Sequence, residues 1–128
     1  MTKIVTLCGS SRYCDIMAVC AWLIERDEKA IAFALHLLPE WYFEVNKIDG
    51  TGGHLAEAEN VAAEMDELHL RKIDLSDEIF VVNFASYIGN STKREIDYAG
   101  KAGLLIRYFE SDPIGVKVNE IIKTISAT

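Results

Sequence analysis

Basic residues are in short supply. Thirteen Lys and Arg stand against twenty Asp and Glu, a net charge of −7, and no run of five or more basic residues exists. This argues against a protein that grips a nucleic-acid polymer by counterion release. A local pocket of donors can still bind one small anion. Long apolar runs are also missing. Residues 30–35 and 79–82 are among the longest, far too short to span a bilayer, so no membrane partner is expected. The N-terminal Met-Thr-Lys-Ile-Val reaches the turn at Gly9 too soon to leave room for a signal peptide. Cysteine is sparse and odd in number: Cys8, Cys14 and Cys20, with no CxxC pair and a six-and-six spacing that fits no zinc pattern. They read as small core residues, reduced in a cytoplasmic setting. No metal and no cofactor is expected.

What remains is a globular balance: half the residues are hydrophobic and 26% are charged. A chain of 128 residues makes one domain, residues 1–128, which buries about two-thirds of its unfolded surface. There is no internal repeat and no low-complexity tract. Residues 3–8 (KIVTLC) read as a buried first strand entering a turn at Gly9-Ser10-Ser11. From Asp15, the spacing of Ile16, Cys20, Leu23 and Ile24 predicts an amphipathic helix that ends near Arg26. Residues 30–38 (AIAFALHLL) form a second strand, stopped by Pro39. Residues 46–54 (NKIDGTGGH) read as a loop and a candidate lid. A long helix is predicted from 55 to about 75, a third strand over 79–83, and a loop over 84–91. A helix over 92–101 closed by Gly103, a fourth strand over 104–109 and a last helix over 114–125 complete the pattern. Strands alternating with helices predict a parallel sheet with helices on both faces, a four- to five-stranded α/β sandwich. Ligands of such sheets bind outside the carboxyl ends of the strands, at the switch in strand order.

Two segments with site chemistry follow strands. The first is Cys8-Gly9-Ser10-Ser11-Arg12-Tyr13. Its glycine lets backbone approach a ligand, its hydroxyls and turn amides donate toward an anion, and Arg12 adds a fork of donors suited to phosphate. Plain turn and N-cap chemistry with a solvated Arg12 is the competing account. The second is Tyr87-Ile88-Gly89-Asn90-Ser91-Thr92-Lys93-Arg94-Glu95. Taken by spacing alone, Thr92-x-x-Glu95 is a capping box at a helix start, with Glu95 in the first turn. The functional account makes Glu95 a nucleophile aimed into the crevice. A third stretch, His69 to Asp77, joins a helix to the third strand. It is either a charged helix end capped by Asp77 or the source of an acid or base. His36 and His54 carry no signal.

Together, Cys8-Gly9-Ser10-Ser11-Arg12, Glu67-Leu68-His69-x-x-Lys72-Ile73-Asp74-Leu75-x-Asp77-Glu78 and Tyr87-Ile88-Gly89-x-Ser91-Thr92-x-x-Glu95-Ile96-x-Tyr98-Ala99 resemble the nucleoside 2-deoxyribosyltransferase-like proteins. A small bacterial and phage branch of that family is the nearest likeness. The resemblance implies a flavodoxin-like fold and cleavage or transfer at the N-glycosidic bond of a nucleotide or nucleoside. It implies Glu95 as nucleophile on the anomeric carbon, and a 5′-phosphate held by Gly9, Ser10 and Arg12. With Ser11 and Tyr13 beside that turn, and Gly89, Ser91 and Thr92 beside Glu95, these form the expected substrate contacts. Tyr87 is a further candidate to flank base or sugar. Asp77 is expected to orient the sugar or Glu95. Where relatives carry an aspartate that protonates the leaving base, this chain has His69, the candidate acid. The resemblance also implies a homodimer or larger homo-oligomer. Two alternatives stand beside it. One is a nucleotide-binding module that senses its ligand without cleaving it. The other is a phosphoribohydrolase of the cytokinin-activating type, whose Pro-Gly-Gly-x-Gly-Thr segment is absent here.

Overall fold

The computed structural model describes residues 1–45 and 55–126. Four parallel strands form one sheet: β1 (Ile4–Gly9), β2 (Ile31–Phe33), β3 (Glu78–Val82) and β4 (Leu105–Tyr108). Their order is β2-β1-β3-β4, so the chain reverses its direction of growth between β1 and β3. This is the flavodoxin-like arrangement, with its crevice at that reversal. The helices are α1 (Cys14–Glu28), α2 (Glu40–Val45), α3 (Leu55–Ala58), α4 (Ala62–Asp74), α5 (Asn90–Lys101) and α6 (Pro113–Ser126). Among the described residues, no helix is long and apolar enough to cross a membrane.

Period-two alternation divides the sheet into two faces. Val5 and Leu7 of β1, with Phe80 and Val82 of β3, pack against Met17, Cys20, Leu23 and Ile24 of α1 and Ile114 and Val118 of α6. Cys8, Ile79 and Val81 face the other way, onto Ile73 of α4 and Ile96 and Ala99 of α5. Three layers result. β3 is buried at all five positions because both its faces and both its edges are covered. The three cysteines are free and buried, as small core residues should be.

Several boundaries differ from the sequence pattern. The second strand covers three residues in place of 30–38. As an edge strand it pairs only with Ile4, Val5 and Thr6, and beyond Phe33 it has no ladder to join. The helix expected over 55 to 75 is two helices. Asn60 takes a left-handed φ of 61°, Asn60 N–H donates to Glu57 O, and Val61 N–H donates to Ala56 O. That pair of bonds is a Schellman ending, and asparagine tolerates the left-handed residue it needs. α1 begins one residue before Asp15 and runs to Glu28. Gly103, at φ 77°, closes α5 as expected. The segment read as a lid, residues 46–54, lies outside the described residues.

Candidate active site

The reversal in strand order brings the two strand-end segments together. After β1, Ser10 caps a single 3-10 turn, its Oγ accepting from Arg12 N–H at 3.1 Å. Arg12 lays its guanidinium over the Tyr87 ring, 4.6 Å from the centroid. Tyr13 stacks obliquely on Phe84 at 5.1 Å and meets Tyr87 edge-on at 6.4 Å. Aromatic contact therefore ties the end of β1 to the end of β3. Gly9 plays a different part from the one expected. A Cβ there would lie 3.0 Å from the Met17 methyl and 3.2 Å from Val82. The glycine makes room for the protein's own interior.

On the α4–α5 face, three buried side chains converge. Cys8 stands at the end of β1, His69 on the inner side of α4 and Glu95 on the inner side of α5. One ligand atom from each lies within 4.8 Å of the other two. The Cys8 thiol stands close enough to the Glu95 carboxylate to favour its ionised form. His69 Nε2 is 3.7 Å from Glu95 Oε1. Glu95 also lines a groove of about 460 Å³ between α4 and α5, with Asp66, Glu67, Leu70, Ser91 and Arg94 on its walls. Burial pushes Glu95 up to about 7, with a smaller push from the Asp66 charge, against the Cys8 thiol and Arg94. Burial holds His69 down at about 4, helped by the Lys72 charge, while the Leu7 backbone opposes slightly. Burial likewise pushes the Cys8 thiol well up. His69 and Glu95 are thus close without being an ion pair. Where His69 becomes charged, Glu95 is already protonated. At neutral pH the imidazole is neutral, and Glu95 is the group raised far enough to hold or release a proton there.

The capping box is not formed. Gly89 precedes the helix, Thr92 is its third residue, and Lys93 N–H closes the first α-turn on Gly89 O. Thr92 and Glu95 are both buried, turned toward the sheet rather than toward the helix end. Ser91 accepts from Arg94 Nη2 at 3.2 Å. A Cβ on Gly89 would meet only the Tyr87 ring, at ordinary contact distance. Asp77 is the clearest correction. It precedes β3, so it sits on the opposite rim of a parallel sheet, exposed, with its Oδ2 accepting from Ile4 N–H at 2.8 Å. It cannot orient Glu95 or a sugar at the carboxyl ends. Asp74 is exposed as well, bound by Tyr98 OH and Arg71.

The chain matches no protein-family model, no curated protein and no solved structure. The geometry is therefore the basis for any functional reading. Cys8 is the site residue that sequence reasoning passed over. Strand parity carried the signal: Thr6 and Cys8 share the face onto which α4 and α5 pack. The three groups can hold and pass a proton, present a carboxylate in a dry setting, or ligate a soft-to-borderline metal ion.

Proposed function

We propose that the protein cleaves the N-glycosidic bond of a nucleoside 5′-monophosphate or a deoxynucleoside, with Glu95 as nucleophile. The observation that carries this reading is the Glu95 carboxyl, buried beside His69 and open to the α4–α5 groove. Ionised, it attacks the anomeric carbon. The bond to the base nitrogen breaks, and the base leaves with its electron pair. His69, neutral and within 3.7 Å, relays a proton from water to the leaving base. Water then opens the glycosyl ester, releases the sugar and restores the carboxylate; a second base in place of water makes the reaction a transfer. Ser10, Ser11 and Arg12 bind the 5′-phosphate, which requires Arg12 to leave the Tyr87 face.

A homo-oligomer belongs to the same proposal. Three free, buried cysteines suit a reducing cytoplasm. The test is incubation with ribo- and deoxyribonucleosides and their 5′-monophosphates, with free base read by mass spectrometry. Base release that vanishes in Glu95→Ala is the expected result. Release that survives the substitution would sink the covalent mechanism. One observation favours a second reading. His69 is uncharged at neutral pH and lacks the acidic proton of an imidazolium, so a pocket that binds a nucleotide without cleaving it would look the same. A thermal shift with one nucleotide that stays intact would select that reading.

A further inference from the structure

Both ring nitrogens of His69 are buried and neither meets the geometry of a full hydrogen bond, although the Leu7 backbone is near enough to bear on the ring. Buried polar atoms are nearly always paired, so two on one ring call for a partner. What stands nearest is a thiol and a carboxyl, both themselves buried. We infer that Cys8, His69 and Glu95 form a three-ligand site for a zinc-class divalent cation.

The donor types suit that ion: one sulfur, one imidazole nitrogen and one carboxylate oxygen, from three separate elements. The spacing suits it as well. Tetrahedral bonds of zinc length separate neighbouring donors by roughly 3.3–3.6 Å. His69 Nε2 and Glu95 Oε1 already stand at 3.7 Å, and no pair in the trio exceeds 4.8 Å. Side-chain adjustment of about an ångström completes the set. The charges balance. A thiolate, a carboxylate and a neutral imidazole sum to −2 and cancel the cation, so no net charge is left in the interior. On binding, the thiol proton and any proton on Glu95 pass to solvent, and the freed lone pairs go to the ion. Entry runs through the groove that Glu95 lines, past Asp66 and Glu67. Two cations oppose it: Lys72, whose ammonium donates to Ala34 O at 3.5 Å, and Arg94 on the groove wall, whose guanidinium is tied to Ser91 and Asp66. The fourth position falls to water or to a ligand from the groove.

The site shares His69 and Glu95 with the glycosidase reading, but its test is separate because it is read without substrate. Cobalt(II) is titrated into the full chain without oxygen, with a phosphine as reductant. Expected is a thiolate-to-cobalt charge-transfer band that saturates at one equivalent and is displaced by zinc. The band disappears in Cys8→Ser and persists in Cys14→Ser. His69→Gln and Glu95→Gln weaken cobalt binding at least tenfold, and they carry the test should Cys8→Ser fail to fold. No band, a band that survives Cys8→Ser, or unchanged affinity in both Gln variants would overturn the site. Base release measured with chelator present reports on the glycosidase reading alone.

Discussion

The two faces of the sheet each bury a polar cluster, and the clusters are opposites. On the α1–α6 face, Arg107 of β4 is 13% exposed and spends all five of its N–H donors. Two go to Glu28, two to Asp112 and one to Glu78, at 2.7 to 3.1 Å. Lys3 adds a second cation to Glu28 and Glu78, at 3.2 Å each. On the α4–α5 face, neither ring nitrogen of His69 makes a hydrogen bond of full geometry. A satisfied network holds α1, β3, β4 and the start of α6 in one arrangement, and has nothing left to offer a ligand. An unsatisfied one costs stability and persists where another task uses it. The contrast separates the part of the molecule that is finished from the part that waits for something.

The largest effect should fall on the open cluster. Glu95→Ala lowers base release by about 10³-fold or more while circular dichroism stays native. A smaller loss would demote Glu95 from nucleophile to neighbour. The closed cluster should answer in stability alone. Arg107→Ala leaves Asp112 without its cation and Glu28 and Glu78 with Lys3 alone, and costs about 3 kcal/mol in urea unfolding. Coulomb screening by salt should narrow that difference little, since the group is buried.

The pH dependence of stability sharpens the comparison further. Glu95 is raised from 4.5 to about 7, so its contribution is full below about 4.5 and is lost as pH rises through 7. His69 is lowered from 6.5 to about 4, so its contribution is present above 6.5 and is lost as pH falls through 4. Between pH 4.5 and 6.5 the two slopes cancel, and stability should be flat, falling on either side. Glu95→Gln removes the fall on the alkaline side and gains on the order of 2 kcal/mol at pH 8. A parent curve that stays flat to pH 8 would show that Glu95 is not held protonated. Arg12→Ala should raise KM for a nucleotide about tenfold with kcat nearly unchanged. An equal rise for the free nucleoside would remove the phosphate from Arg12. The smallest effect belongs to Asp77→Ala, about 1 kcal/mol of stability with no change in kcat.

Much of this was legible in the sequence, and the failures have a common cause. Alternating elements and crossover lengths were enough for a parallel three-layer fold, because both follow from local patterns. Glu95 and His69 were singled out from their motifs and stand 3.7 Å apart, and the turn after β1 forms at Ser10. What failed depended on partners distant in the chain. Residues 34–38 look like strand, yet β1 offers the edge only three rungs. Thr92 and Glu95 have the spacing of a cap, yet the helix starts two residues before Thr92 and turns both inward. Asp77 lies one residue from the third strand but before it, and in a parallel sheet that means the wrong rim. Cys8 looked like filler because nothing in its own segment says that α4 and α5 will set a histidine and a glutamate against it.

Gly9 bears on how relatives of this chain are to be compared. The space a side chain would need there is taken by Met17 and Val82, so the interior alone calls for glycine. Unbroken retention of glycine there would track the volume at those two neighbours and carry no information about what the turn binds. Ligand preference would be written in Ser10 and Arg12 instead, free to drift while Gly9 stays still. Two proteins with the same glycine and different residues at those two positions should be sorted as one architecture with two specificities.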